Sequence, residues 1–282
     1  MAEPKYCAPA STGMYYTDPT YLDNHFRAAQ PEYESMLRSV EIGAGFHVLD
    51  AGCGPGSFLP LLSEMVGPTG HISCIDLSPE NTETVKSRVA KSPLLCPVDV
   101  QPGSLLALPY ADRTFDAVWS SAVFQYIPEA DWGTVLSELR RVVRPGGLIA
   151  IKDSDLTLWY LSAVDPELLW RTFAALRPHF VQIKNELRAP LLHRLLQRHD
   201  LRGVRQASTL VERWAPLPSA EQEFVTTIFT GFAAIVQTAD MSESDKAAWQ
   251  ALSDVSNPDH PMKRADFYYR EGHTITVGWV PA

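Results

Sequence analysis

The run Val48-Leu49-Asp50-Ala51-Gly52-Cys53-Gly54-Pro55-Gly56 constrains this chain more than any other. Apolar residues lead to an acid, and glycines follow at alternate positions. The pattern predicts a buried strand ending in a turn where a ligand lies against bare backbone. Glycine permits positive φ and lacks the Cβ that would meet the ligand. A comparable loop in dinucleotide enzymes receives a pyrophosphate at a helix N-terminus. Asp50 argues against that ligand, because its carboxylate would repel a pyrophosphate. It suits a ligand that carries a cationic ammonium. A turn that only packs a helix on a strand is the competing reading.

The next segment favours the ligand. A second strand is predicted over 71–76, and its closing Asp76 lies 20 residues after Gly56. An acid at the end of the second strand can accept hydrogen bonds from both hydroxyls of a ribose. Helix capping is the other role open to this region, since Ser78-Pro79-Glu80 reads as a helix start.

Further motifs follow in order. Residues 66–72 read Val-Gly-Pro-Thr-Gly-His-Ile. Residues 108–118 read Leu-Pro-Tyr-Ala-Asp-Arg-Thr-Phe-Asp-Ala-Val. Residues 138–147 read Glu-Leu-Arg-Arg-Val-Val-Arg-Pro-Gly-Gly. With the glycine loop, these resemble the class I S-adenosylmethionine-dependent methyltransferases. The resembling group includes the ubiquinone and menaquinone C-methyltransferases and many natural-product methyltransferases. The resemblance covers roughly residues 20–152 well and the remainder loosely. It implies S-adenosylmethionine as cofactor and S-adenosylhomocysteine as product. It implies that Asp50, Gly52, Gly54, Gly56, Asp76, Leu77, Ser104, Leu105 and Ser120 surround the cofactor. The backbone near Ser120 would accept from the methionine ammonium, and Arg27 would reach the methionine carboxylate, for which an arginine fork is suited. A solvated surface arginine is the competing reading of Arg27. The chain departs from the family at Gly103-Ser104, where Gly-Asp is usual. A serine hydroxyl still accepts from the adenine amine, but without charge, and a plain turn is equally open to it.

Composition agrees with a globular enzyme. The 282 residues are 45% hydrophobic and 20% charged, enough for one enlarged domain. No apolar run of about 18 residues predicts a membrane span. Residues 1–6 lack the apolar core of a signal peptide. The four cysteines, Cys7, Cys53, Cys74 and Cys96, are scattered and read as reduced packing thiols of a cytoplasmic protein, with no metal site expected. A net charge of −9 and the lack of a basic cluster argue against a nucleic-acid substrate.

Alternating elements predict an α/β fold: a Rossmann-like, seven-stranded, mostly parallel sheet with helices on both faces and a helical lid. Strands are expected over 46–51, 71–76, 94–100, 114–119, 147–152, 203–214 and 273–280. Helices are expected over 21–41, 57–66, 79–91, 131–143, 219–239 and 242–253, with a helical stretch over 165–199. Residues 1–42 form an N-terminal lid segment and helix. Residues 43–153 form the cofactor-binding core. Residues 154–282 add the remaining strands and an inserted helical lid within one continuous domain.

The acceptor side is read from strand ends, which face the cleft in this architecture. Asp153 and Asp155 follow the fifth strand, with turn and N-cap roles as the alternative. Trp159 and Tyr160 can stack on a flat acceptor. Gln125 and Tyr126 occupy places where the resembling family often has histidines. Tyr15, Tyr16, Tyr21, His25 and Phe26 make the densest N-terminal aromatic cluster, and His193 reaches the cleft if its helix crosses it. Asp155, His25 and Tyr21 are the candidate catalytic residues; Tyr16, Gln125, Tyr126, Asp153, Trp159, Tyr160 and His193 are the candidate acceptor-binding residues. The expected activity is methyl transfer to an O, N or C nucleophile of a small apolar or aromatic metabolite, of secondary-metabolite or quinone type, by a monomer or homodimer. A protein or RNA methyltransferase, or a non-catalytic cofactor-binding protein, is the alternative.

Overall fold

The computed structural model describes residues 11–14, 16–162 and 164–282, so Cys7 and Tyr15 lie outside the described residues. Seven strands form one sheet in the order β3-β2-β1-β4-β5-β7-β6. β1 (His47–Ala51), β2 (His71–Asp76), β3 (Val98–Pro102), β4 (Phe115–Ser121) and β5 (Val143–Leu161) run parallel. β7 (Tyr268–Trp279) enters antiparallel between β5 and β6 (Arg202–Trp214). The strand order reverses between β1 and β4, and ligands of open α/β sheets bind beyond the carboxyl ends at such a point.

Strand alternation divides the sheet core into two. Val48, Ala117, Leu148 and Ala150 face α2 (Gln30–Arg38), α3 (Leu59–Val66) and α4 (Pro79–Lys91). Their neighbours Leu49, Val118, Ile149 and Ile151 face α5 (Trp132–Val142) and α8 (Leu192–Arg198). Apolar residues at both parities are what a sheet covered on both faces requires. A third core joins the far ends of β5 and β7 to α6 (Pro166–Leu176), α9 (Ser219–Ile235) and α10 (Glu243–Ser253). There Phe173, Phe229 and Trp249 are buried, and the Trp249 indole donates to Thr172 Oγ1 at 2.8 Å.

Local chemistry explains most element starts. Asp18 accepts from the backbone of Thr20 and Tyr21 and caps α1 (Pro19–Ala28). Ser78 caps α4 through the Asn81 amide, with Pro79 in the first turn. The continuous helix expected over 21–41 is instead two helices that meet at Ala29. Pro31 lacks an amide to continue the first helix and suits the first turn of the second. β3 begins at Val98, four residues later than expected.

The largest correction is β5. The strand expected over 147–152 runs for 19 residues. Lys152-Asp153-Ser154-Asp155 reads as a polar turn, yet β7 pairs with it: Asp153 faces Thr274, Ser154 faces His273 and Asp155 faces Gly272. The register then shifts before Tyr160 pairs with Arg270. At this crossing the chains leave no room for a side chain. A Cβ on Gly272 would stand 2.3 Å from Leu158 Cβ. Gly272→Ala should therefore cost about 1–3 kcal/mol, measured by urea unfolding; an unchanged midpoint would show that the crossing relaxes freely.

Candidate functional site

A cavity of about 260 Å³ lies beyond the carboxyl ends of β1, β2 and β4. Its walls include Asp50, Gly52, Gly54, Asp76, Leu77, Ser104 and Leu105, which the sequence reading assigned to the cofactor. Gly52 and Gly54 hold φ of 81° and 53°, in the left-handed region that favours glycine. The missing Cβ of Gly52 makes room for a side chain, since a Cβ there would lie 2.3 Å from Val123 Cγ2. Gly56 faces away from this cavity: an added Cβ would meet Leu59 at 2.8 Å and Val85 at 3.0 Å. Close packing thus explains Gly56, where ligand contact was expected, while Gly52 both packs against Val123 and lines the cavity.

The two acids differ in state. Asp50 is 2% exposed, and its Oδ2 has no hydrogen-bond partner. Burial, with nearby Asp76, pushes its carboxyl up to about 8. Asp76 Oδ2 accepts from the Gly54 amide at 2.8 Å, and Oδ1 from the Ser78 amide at 2.9 Å. Oδ1 accepts also from Asn81 Nδ2 at 3.3 Å, so Oδ2 is the oxygen that keeps a lone pair for a further donor. Burial raises Asp76 as well, opposed by the Ser78 and Gly54 amides. Leu77 is 52% exposed on the rim, an apolar surface for a flat ring. Ser104 Oγ accepts from the Leu106 amide at 3.2 Å, the turn role.

The Ser120 hydroxyl donates to the Ala51 carbonyl at 2.9 Å, and its neighbours Ser121 and Ala122 line the cavity. Two assignments need correction. Arg27 lies on a face of α1 away from the cavity, bonded to Asn24 and paired with Glu223 at 3.5 Å. His193 binds the Pro190 carbonyl at 3.0 Å and lines neither cavity described here.

A second chamber of about 60 Å³ adjoins the first. Leu22, His25, Ala122 and Tyr126 line both and form the neck between them. Tyr16, Tyr21, Gln125, Trp159, Phe180 and Phe232 are among the inner walls, with Glu186, whose carboxyl burial pushes up to about 8. Tyr160, next along the strand, points to the opposite face against Tyr268 and Arg270. Asp155 lies outside the chamber, its Oδ1 accepting from the Thr157 amide at 2.9 Å, because β5 continues where a strand end was expected. Asp153 is buried beside the chamber with Oδ1 unpartnered; burial pushes it up to about 8 against the pull of Lys152.

The neck leads to a polar cluster that sequence reasoning missed. His25 Nε2 and His273 Nε2 stand 3.2 and 3.1 Å from Glu271 Oε1. The Tyr33 hydroxyl is 2.8 Å from His25 Nε2 and 3.3 Å from His273 Nε2. Burial alone would raise Glu271, but the two histidines hold its carboxyl well below the usual range. Burial and the Lys152 charge push His273 down to about 3, so it is neutral. Lys152 Nζ lies 3.5 Å from the Tyr33 ring centroid, and burial lowers it to about 7. His25, Glu271 and His273 bring three potential ligand atoms within 4.8 Å of one another, a grouping the scattered cysteines gave no reason to expect. One signal was readable: Tyr269, Glu271 and His273 alternate along a strand and share one face.

Comparisons with known proteins agree with this architecture. Residues 48–147 match the family model described as a methyltransferase domain. Methyltransferase GfsG of Streptomyces halstedii is 32% identical over 139 residues, 49% of each chain. The demethylmenaquinone methyltransferase of Symbiobacterium thermophilum is 32% identical over 152 residues, 53% of this chain and 59% of that one. The chain thus spans about half the length of the curated relatives it matches. In fold it is similar to a SAM-dependent methyltransferase from Aquifex aeolicus, with a TM-score of 0.51, 24% identity, and coverage of 67% of this chain and 90% of the other. It is similar also to phosphoethanolamine N-methyltransferase 2 of Haemonchus contortus, with a TM-score of 0.55, 12% identity, and coverage of 94% and 58%. Residues 48–147 are thus similar to a methyltransferase domain, and the fold is similar to that of these solved methyltransferases.

The buried Asp50 yields a stability test. Its carboxyl titrates at about 8 in the folded chain against an ordinary 3.8. The folded state therefore holds this proton more tightly, and stability falls as pH rises between those values. Asp50→Asn should raise the melting temperature, by an amount that grows from about pH 4 to about pH 8 and then levels. A gain that does not vary with pH would place the charge penalty elsewhere.

Proposed function

We propose that this chain binds S-adenosylmethionine in the outer cavity and methylates a nucleophilic O, N or C atom of a small apolar or aromatic metabolite in the inner chamber. The observation that carries this reading is that the two chambers adjoin and share His25 and Tyr126 in their lining. A carboxylate-lined cavity lies there against an aromatic-walled one. The unpartnered, buried Asp50 Oδ2 fits a cationic ammonium, which would hold the carboxyl ionised. The spare lone pair on Asp76 Oδ2 fits a ribose hydroxyl. Leu77 and Leu105 offer apolar faces to adenine.

When bound, the sulfonium supplies an already activated methyl group. What the protein adds is placement of the nucleophile in line and exclusion of water. Tyr16, Tyr21, Trp159 and Phe232 dry the inner chamber and orient a flat acceptor. His25, at the neck, holds the acceptor's polar atom toward the methyl group. Neither Asp155 nor His193 serves in this reading. Relatives named demethylmenaquinone methyltransferases, together with the aromatic lining, support a quinone-like acceptor.

Two measurements test the proposal. Asp76→Ala should weaken S-adenosylhomocysteine binding by roughly tenfold or more, about 1.4 kcal/mol, read by calorimetry; unchanged affinity would remove the cofactor assignment. With methyl-labelled S-adenosylmethionine, label should enter an organic-extractable small molecule, and Trp159→Ala should raise KM for that acceptor about tenfold while kcat changes less. Label recovered in protein or RNA instead would refute the acceptor class.

A further inference from the structure

The cluster at the neck is poorly described by hydrogen bonds alone. A neutral imidazole Nε2 carries either one proton or one lone pair, directed in the ring plane. If both Nε2 atoms donate, two protons converge on Glu271 Oε1 and the Tyr33 oxygen, which lie 2.8–3.3 Å away. The Tyr33 proton then has neither ring nitrogen as an acceptor. If both Nε2 atoms accept, the one Tyr33 proton cannot serve them both; if His273 donates to Glu271 while His25 accepts from Tyr33, every proton is placed but His25 Nε2 and Glu271 Oε1 face each other as two acceptors 3.2 Å apart. A cation at the point of convergence uses each lone pair once.

We infer that His25, Glu271 and His273 form a two-histidine, one-carboxylate site for a first-row divalent metal ion, with the Tyr33 hydroxyl at its fourth corner. The three ligand atoms lie within 4.8 Å of one another. Ligands about 2.0–2.2 Å from a tetrahedral ion stand roughly 3.3 Å apart. The two histidine-to-carboxylate separations of 3.1 and 3.2 Å need little adjustment to match. Imidazole with carboxylate selects zinc or iron(II) over calcium or magnesium.

Supporting contacts hold the ligands in place, as metal sites require. The Tyr269 hydroxyl donates to Glu271 Oε2 at 2.8 Å, which leaves Oε1 facing the histidines. The His25 ring stacks on Phe224, with centroids 4.3 Å apart and planes 8° from parallel. His273 is fully buried on β7. His25 lines both chambers, so the ion is reachable from the cavity.

This inference rests on the proposed acceptor chamber and sharpens it toward a hydroxylated acceptor. An ion at this position would take an acceptor oxygen in place of the Tyr33 hydroxyl and lower the pKa of the acceptor's hydroxyl. The hydroxyl proton passes to water; the new O–CH₃ bond forms as the S–CH₃ bond of the cofactor breaks. His25 then acts as a ligand, and no side-chain base is needed.

The test uses the whole chain, stripped with a chelator and titrated with cobalt(II). A visible absorption band should saturate at one ion per chain and be displaced by zinc. His25→Gln and His273→Gln should each weaken cobalt binding by roughly tenfold or more. His25 is the more accessible ligand, so its variant serves if the buried one fails to fold. S-adenosylhomocysteine binding is measured in parallel by thermal shift. Its retention without saturable cobalt binding, or with cobalt affinity unchanged in a folded His25→Gln, overturns the metal site and leaves the cofactor reading standing. Saturable cobalt binding that His25→Gln weakens, without S-adenosylhomocysteine binding, supports the site and overturns the cofactor reading.

Discussion

The pairing of β7 with the long β5 supports nearly every polar feature of the site. β7 runs antiparallel between β5 and β6, so its N-terminal half lies where the parallel strands end. That direction carries Glu271 and His273 to the carboxyl end of the sheet. It also converts Lys152-Asp153-Ser154-Asp155 from a loop into buried, backbone-paired strand. The backbone ladder satisfies the main chain there, which leaves the side chains to settle their own charges.

Those side chains concentrate buried ionisable groups beside the cavities. Asp153, Glu186 and Asp50 are pushed toward neutrality by burial, and Lys152 is pulled the same way. Glu271 alone among these acids is held ionised, because two imidazoles and the Tyr269 hydroxyl surround it. Unpaired buried polar groups cost free energy that folding does not recover. Their location along the cavities, while the sheet's flanking cores remain almost wholly apolar, is the pattern of a site that bonds a ligand.

The helices beyond β5 give this polar floor its roof. α6 and α9 build a core of their own around Phe173, Phe229 and Trp249, and part of that apolar surface faces the inner chamber. The chamber is thus aromatic above and ionisable below. Tyr126, with its hydroxyl on the Tyr16 carbonyl at 3.3 Å, ties the neck to the N-terminal segment.

The glycine loop, the acid closing β2, and the alternation of apolar strands with amphipathic helices were legible in the sequence. Each is encoded by neighbours: a positive φ, a cap or a strand period needs only a few adjacent residues. For the same reason Asp50, Asp76, Leu77 and Leu105 were correctly brought to one cavity, and the helices over 79–91 and 131–143 were found nearly to the residue. Arg27, Asp155, Tyr160 and His193 went astray because their direction depends on which face of an element the rest of the protein covers. Strand alternation records that Glu271 and His273 share a face of β7. Their meeting with Tyr33 of α2 and His25 of α1 spans most of the chain, and no local spacing records that. The sequence by itself determined the fold class and a cofactor-type loop, because both follow from local backbone and burial patterns. Tertiary structure alone decided which ionisable groups share a buried point, because that depends on how far β5 and β7 extend and on the helices that close over them.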